Sequence, residues 1–244
     1  MASATPLPFV LYEDSRCFVL AKPAGMHSVG LPGKDSDNLA SRIAKVDPAL
    51  LVASEKPEDG GLVQRLDQET SGVIMGAKDR EAWGLLRDAL KEGAIKKSYL
   101  IVVEGEFPTE AATETFLGGP NRGGHKVKVY RSKPAAAQRA LPAYTKFVRL
   151  SYDHARDFSI VRAFAPTARR HQVRAHAAFL KHPLLGDSLY GAKRTWAQEG
   201  ETTLAPQFLL HAESISFCSP ADGQAKSVGA PLPPYFQALS TLPR

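Results

Sequence analysis

The residues best suited to chemistry lie in the stretch QRLDQETSG, from Gln64 to Gly72. An arginine, a carboxylate and a Thr-Ser-Gly turn follow one another here between two short apolar runs. Loops this rich in polar groups often carry function. The carboxylate of Asp67 could act as a nucleophile, stabilise a developing cation or accept a proton. An isolated aspartate in a loop is also often a turn or capping residue, so the residue type alone leaves both roles open.

Three other groupings suggest different chemistries. Glu69 follows Asp67 two positions later, and paired carboxylates are typical of glycoside hydrolases. Two side chains at i and i+2 on one loop are poorly oriented to act as the acid and base of a glycoside hydrolase, so we expect Glu69 to be solvent-exposed. His171, His176 and His182 could suggest a metal site. His171 and His176 would lie about 140° apart on a helix, unlike the one-face histidine pair of zinc proteases, so we predict no metal site. The only cysteines, Cys17 and Cys218, are expected to be buried free thiols.

The charge pattern favours a polyanionic partner. The net charge is +6 and the sequence pI is about 9.3. Two acid-free segments hold many of the basic residues, Arg122–Arg139 and Arg162–Pro183. Such blocks are typical of phosphate binding, although each alone could be a solvated basic face. With no apolar run of about 18 residues and no secretion signal, we expect a cytoplasmic protein that does not contact membranes.

The predicted strands and helices that must position these residues indicate an α+β protein. Strand-like runs are FVLYED, CFVLAKP, KKSYLIVVEGE, HKVKVYRS, ALPAYTKFVRL, DFSIVRAFAP and QFLLHAESISF. Helices are predicted at DNLASRIAKV, at DREAWGLLRDALKEG with Asp79 as N-cap, from about Arg170 to Leu180 with Thr167 as N-cap, and at PPYFQALSTL. Strands follow strands with few helices between them, which predicts a mixed, largely antiparallel sheet flanked by helices. Without a linker or repeat, residues 1–244 are expected to form one domain.

Four motifs, in order along most of the chain, resemble the RluA-type pseudouridine synthases. The family's His-Arg-Leu-Asp-x-x-Thr-Ser-Gly appears as QRLDQETSG, and its Lys-Pro-x-Gly loop as KPAG, Lys22–Gly25. The Lys-x-Tyr strand appears as KSY, Lys97–Tyr99. The downstream pattern appears as RRHQVRAH, HPLLGD and YG. Gln64 stands where the family usually has His, and Ala168 where Gly commonly precedes the first Arg.

The resemblance implies a pseudouridine synthase fold with a central cleft and an isomerase that acts on uridine in RNA. By motif position, Asp67 is the catalytic group, Arg174 its basic partner and Tyr99 the residue that stacks on the target base. Arg65 could fill the space left by a flipped base. The reaction needs no cofactor or metal. We expect a monomer that acts on ribosomal or transfer RNA, not DNA, and that lacks an N-terminal RNA-binding domain of the S4 type. A non-catalytic RNA-binding protein is the main alternative, and a hydrolase that releases uracil ranks third.

Overall fold

The structure is a computed structural model that describes residues 10–30, 37–119, 125–135, 139–195, 206–237 and 239. The chain forms two compact units. Residues Met1–Ile95 and Ala212–Pro231 make up the first, and residues Lys96–His211 and Leu232–Arg244 the second. Parts of three sequence predictions lie outside the described residues: the start of the first predicted strand, residues 122–124 and 136–138 of the first basic segment, and most of the end of the last helix.

The first unit is a sheet with two helices. Its strands are β1 (Val10–Glu13), β2 (Cys17–Lys22), β3 (Ser71–Ala77), most of β9 (Leu210–Cys218) and β10 (Ala225–Gly229). Neighbouring strands follow the order β1-β2-β3-β9, with β10 on β9. Helices α1 (Leu39–Val46) and α2 (Arg80–Lys91) and short 3-10 turns at Pro48–Val52 and Pro57–Asp59 complete the unit. A core containing Phe18, Leu39 and Ile74 lies between strands and α1, and Leu66 packs against it.

The second unit contains longer strands and helix α3. Its strands are β4 (Lys96–Glu104), β5 (Glu110–Gly118), β6 (Lys128–Tyr130), β7 (Leu141–Asp153) and β8 (Phe158–Phe164). They follow the order β4-β8-β7-β5-β6, and β9 begins beside β4. Helix α3 (Gln172–Phe179), a 3-10 turn at Ser188–Tyr190 and α4 (Pro234–Gln237) follow. A core that contains Ile101, Phe147 and Val173 joins α3 to the strands.

The α+β prediction is confirmed. The strand pairs with a defined register in both units are antiparallel. The predicted cap of α2 is also confirmed, because the Asp79 carboxylate accepts a hydrogen bond from the amide of Ala82. Three strands were not predicted, β3, β5 and β10. The residues of β5 include two alanines, two glutamates and two threonines, so this strand lacks the apolar alternation that marks most strands.

Three expectations about single residues are wrong. Thr167 does not cap α3; its hydroxyl donates to the side-chain oxygen of Gln172, and the N-cap is His171 in the left-handed conformation at φ 53°. Cys17 is buried as expected, but Cys218, the last residue of β9, is exposed. Glu69 is half-buried and not fully exposed. Among the described residues, no helix is long and apolar enough to cross a membrane.

Candidate functional site

The candidate site in the first unit is built on the turn that contains Asp67. The amide of Thr70 donates to the carbonyl oxygen of Asp67 at 3.1 Å, which closes a four-residue turn. Strand β3 starts directly after this turn, so the turn is anchored to the sheet at its C-terminal side. Asp67 is half-buried, whereas Arg65 is exposed and Thr70 is buried. The fold therefore presents the Asp67 carboxylate from an ordered support rather than from a free loop.

A second loop, KPAG and the residues after it, fixes the same turn from the other side. The hydroxyl of Ser28 donates to the carbonyl oxygen of Leu66 at 2.9 Å and accepts from the amide of Leu66 at 3.0 Å. The amide of Gly25 donates to the carbonyl oxygen of Gln68 at 2.9 Å, and the Gln68 side chain donates back to the carbonyl oxygen of Gly25. The residues immediately before and after Asp67 are thus both held by hydrogen bonds.

Lys22 supports this junction from the interior. It is 1% exposed, and its ammonium donates to the carbonyl oxygens of Pro23, Met26 and Gln68 at 2.8, 2.8 and 3.1 Å. Burial lowers the pKa of Lys22 to about 7, while the charges of Asp67 and Glu69 oppose this shift. The amino group therefore acts as both a structural clamp and an electrostatic neighbour of Asp67. A buried lysine could not be distinguished from a surface lysine by composition; only its place in the KPAG motif marked it.

Gly72 explains why the turn can run straight into a central strand. Its φ is 109°, and a Cβ at this position would lie 2.1 Å from the carbonyl oxygen of Ala212 on β9. Only glycine permits both this backbone conformation and this close approach. The steric contact with Ala212 therefore explains why the Thr-Ser-Gly sequence ends in a glycine.

Helix α2 supports the residues that precede Asp67. The indole of Trp83 donates to the carbonyl oxygen of Leu62 at 3.1 Å, and the guanidinium of Arg87 donates to that of Val63 at 2.9 Å. Gln64, which replaces the usual family His, is 8% exposed and follows these anchored residues. Arg65 then emerges at the surface, where its side chain is free of the packing that confines Gln64.

In the second unit, Arg174 on α3 forms a buried ion pair. Its Nε and Nη2 atoms donate to the two carboxylate oxygens of Asp187 at 2.7 and 2.8 Å. The two residues are 6% and 2% exposed. The guanidinium also lies 4.1 Å from the ring centroid of Phe208 and 5.1 Å from that of Tyr190. A two-point pair of this kind holds the guanidinium in one orientation.

Asp187 owes its position to the glycine before it. Gly186 has φ 88°, and a Cβ there would lie 1.9 Å from the carbonyl oxygen of Gln207. The Gly-Asp sequence of the HPLLGD motif therefore places the carboxylate beneath Arg174. Asp187 was not predicted as a site residue, although its place in this motif was a usable signal.

Tyr99 lies on β4 opposite Ala163 of β8 and packs half-buried against the core of the second unit. From the sequence, Tyr99 was predicted to belong to the same site as Asp67, Arg65 and Arg174. Arg65 and Asp67 share the turn of the first unit, while Tyr99 and Arg174 belong to the second. The pairing of Arg174 with Asp67 and the stacking of Tyr99 on a base stay predictions.

The three histidines that suggested a metal site have protein partners. His176 is buried between the hydroxyls of Thr115 and Thr145, at 2.9 and 2.8 Å, and burial lowers its pKa to about 4. His171 contacts the hydroxyl of Tyr190, and His182 the carbonyl oxygen of Glu104. Arg170 precedes α3, which begins at Gln172 and not at the predicted start near Arg170.

Comparison with protein families gives a match to the model of the RNA pseudouridylate synthases over residues 16–179. An uncharacterised RNA pseudouridine synthase of Mycoplasma pneumoniae is 34% identical over 212 residues, which is 86% of this chain and 62% of that protein. The ribosomal large subunit pseudouridine synthase D of Neisseria meningitidis is 31% identical over 96% of this chain and 60% of its own length. An uncharacterised RNA pseudouridine synthase of Bacillus subtilis is 32% identical over 97% of this chain and 77% of its own length.

Solved structures show the same fold. The human RNA pseudouridylate synthase domain containing 1 has a TM-score of 0.68 and 22% sequence identity, and the similarity covers 95% of this chain and 86% of that chain. A second human protein of this type, domain containing 4, has a TM-score of 0.66. The chain spans about three fifths of the length of the first curated relatives described above.

Proposed function

Because this chain belongs to the RNA pseudouridylate synthase family, we propose that it isomerises uridine to pseudouridine in RNA with Asp67 as its catalytic group. The family predicted from four motifs is thereby confirmed. One observation carries the activity we propose: the family match over residues 16–179 includes an Asp67 turn that is fixed on both sides, by Ser28 at Leu66 and by Gly25 and Lys22 at Gln68. A protein that only bound RNA would gain nothing from a carboxylate held beside a phosphate backbone.

The reaction breaks the bond between N1 of the base and C1′ of the ribose, turns the base and rejoins it through C5. A stacked uridine must first leave its stack, which costs a few kcal/mol. Arg65 is exposed at the start of the turn and is suited to occupy the vacated space. Asp67 then acts at the ribose, as a nucleophile at C1′, as a stabiliser of a cation there or as a base at C2′. Each route uses the ionised carboxylate and no redox or metal cofactor.

Arg174 and Tyr99 complete the site that we propose. By its position in the family motif, Arg174 is the counter-ion of Asp67 in this proposal, and its bidentate contact with Asp187 holds the guanidinium in one orientation. Tyr99 stacks on the target base in this proposal, and the residue is half-buried near the start of β4. Because the proposed site uses Asp67 of the first unit and Arg174 of the second, we propose that residues 1–244 act as one catalytic domain. We also propose that the protein is a monomer.

The substrate that we propose is ribosomal RNA, with transfer RNA as the other candidate. The name of the Neisseria relative supports ribosomal RNA. Both candidates belong to the translation apparatus, so a cytoplasmic location goes with this function. The net charge of +6 and the acid-free segment around helix α3 agree with a polyanionic substrate.

The proposal is tested by incubating the purified protein with transcribed large-subunit ribosomal RNA and, separately, with pooled transfer RNA, without metal or cofactor beyond the magnesium that folds the RNA. Pseudouridine is then mapped by site. We expect new pseudouridine at one or a few positions. Release of free uracil would identify a hydrolase, and RNA binding without either product would identify a non-catalytic binding protein.

A further inference from the structure

Lys97 is a buried cation of the second unit that the mechanism above does not use. It lies on β4, is 5% exposed, and its ammonium donates to the carbonyl oxygen of Thr167 at 3.0 Å. Within the described part of the chain this is its one acceptor, so two of its three N–H groups lack a protein partner. Buried lysines are normally paired or fully hydrogen-bonded, because an incompletely satisfied ammonium is costly away from water.

A second cation lies close to Lys97. Arg169 follows Thr167 by two residues, is half-buried, and donates from Nε to the carbonyl oxygen of Pro142 at 3.1 Å. Burial, and after it the charge of Arg169, lower the pKa of Lys97 to about 8. Burial also lowers the pKa of Arg169. No carboxylate of the described residues forms an ion pair with either side chain, so two partly desolvated positive charges that repel each other have no counter-charge there.

The surrounding loop is rigid enough to hold this arrangement. Gln172 accepts from the hydroxyl of Thr167 and from the amide of Arg169 at 2.8 and 3.1 Å. The side-chain nitrogen Nε2 of Gln172 donates to the carbonyl oxygen of Tyr144 and to the hydroxyl of Thr145. Helix α3 begins at Gln172, and the partial positive charge at its N-terminus adds to that of the two side chains. Like charges that are fixed together in a folded protein are stabilised when an anion binds between them.

We propose that Lys97 and Arg169 form a subsite for one backbone phosphate of the RNA substrate. Arg169 is the accessible member and contacts the phosphate oxygens directly. Lys97 contributes its charge from the interior and holds the loop through Thr167. The inference rests on the proposed RNA substrate, and it names a contact beyond Asp67, Arg65, Tyr99 and Arg174.

The test measures how the affinity for a fluorescent single-stranded oligouridylate changes with salt. Arg169→Gln removes the charge and keeps a hydrogen-bonding side chain, whereas Arg169→Lys keeps the charge. For each phosphate contact on a single strand, the slope of log affinity against log salt changes by about 0.7. We expect the slope of Arg169→Gln to be shallower than wild type by about that amount, and the slope of Arg169→Lys to match wild type. Lys91→Gln is the control, since Asp88 already balances the Lys91 charge at 2.7 Å, and its slope should not change.

Two further readouts separate binding from folding and from the overall function. Inorganic phosphate, compared with chloride at equal ionic strength, should displace the oligouridylate less effectively from Arg169→Gln than from wild type. If Lys97→Met folds, its slope of log affinity against log salt should also be shallower than that of wild type. If Lys97→Met does not fold, the slope of Arg169→Gln alone decides whether the subsite exists. With a substrate RNA, Arg169→Gln should raise KM and leave kcat near wild type.

A wild-type slope in Arg169→Gln, or equal displacement by phosphate, would overturn the subsite. The slope does not depend on turnover. A wild-type protein that makes no pseudouridine would therefore contradict the proposed function and leave the subsite to be judged by binding alone.

Discussion

The ammonium of Lys22 donates to the carbonyl oxygen of Gln68, the residue that follows Asp67, across 3.1 Å. The same ammonium also closes the KPAG loop through the carbonyl oxygens of Pro23 and Met26. One buried side chain therefore joins two motifs that are 46 residues apart in the chain. The orientation of the proposed catalytic carboxylate depends on this junction.

Replacing Lys22 with Met should reduce turnover while Asp67 remains in place. Met fills the space of the aliphatic stem but removes the ammonium donor of the Pro23 and Met26 carbonyl oxygens and one of the two donors of the Gln68 carbonyl oxygen, so the turn can shift. A displacement of about 1 Å at a reacting group can lower the rate by roughly 10²-fold. Pseudouridine formation at saturating RNA measures the effect. Gln68→Ala is the control, because it keeps the backbone carbonyl and loses only the contact with Gly25; equal losses in both variants would contradict the role of Lys22.

The pKa of Lys22 also predicts how stability depends on pH. The folded pKa is about 7, whereas an unfolded lysine has a pKa near 10.4. Between these values the unfolded chain binds a proton that the folded chain lacks, so the unfolding free energy rises with pH. Relative to Lys22→Met, wild type should gain about 2 kcal/mol from pH 7 to pH 9. Denaturant titrations of both proteins at the two pH values measure this difference, and parallel pH profiles would contradict it.

The residues of the proposed site could be predicted from the sequence, whereas the groups that support them could not. Asp67 and Arg65 were identifiable because their motif is continuous, and α2 because Asp79 and Gly93 bound a helical apolar pattern. The role of Lys22 was not predicted, since burial of a charge depends on carbonyl groups from a distant loop. Asp187 was missed because its partner, Arg174, was assigned to Asp67 alone. The N-cap of α3 is His171 in the left-handed conformation and not the predicted Thr167, whose hydroxyl donates to the side-chain oxygen of Gln172.

The buried pair of Arg174 and Asp187 allows stability and catalysis to be separated. Arg174→Met leaves the Asp187 carboxylate buried without its partner, which costs about 3–5 kcal/mol. The double variant Arg174→Met with Asp187→Leu should recover most of this loss, because apolar pairs often replace buried ion pairs at little cost. Thermal unfolding measures both. We expect the double variant to remain inactive, since Asp67 still lacks its counter-ion; wild-type turnover in it would show that Arg174 serves stability only.

The conformation of Gly72 predicts opposite effects of the same substitution at two glycines. Gly72→Ala places a methyl group 2.1 Å from the Ala212 carbonyl oxygen at φ 109°, so the start of β3 must move. Backbone strain alone costs of the order of 1–3 kcal/mol. Gly84→Ala, on helix α2, meets no atom within 4 Å and should stabilise the protein by about 0.5–1 kcal/mol. Denaturation midpoints compare the two, and a stable, active Gly72→Ala protein would contradict the account of the turn.

In the function proposed here, the Asp67 carboxylate performs the reaction. Asn has nearly the same size and still forms hydrogen bonds, so Asp67→Asn should fold and bind RNA as wild type does. It cannot attack carbon, stabilise a cation by charge or accept a proton. Glu69→Gln is the matched control, two residues away on the same turn and also half-buried.

The most direct measurement is the amount of pseudouridine that each variant forms in an RNA substrate under single-turnover conditions. A supporting acid or base contributes typically 10²–10⁴-fold. We expect Asp67→Asn to lose more than this and to fall to background, while Glu69→Gln stays within a few-fold of wild type. Substantial product from Asp67→Asn, or background product from Glu69→Gln with Asp67 intact, would contradict the assignment of Asp67.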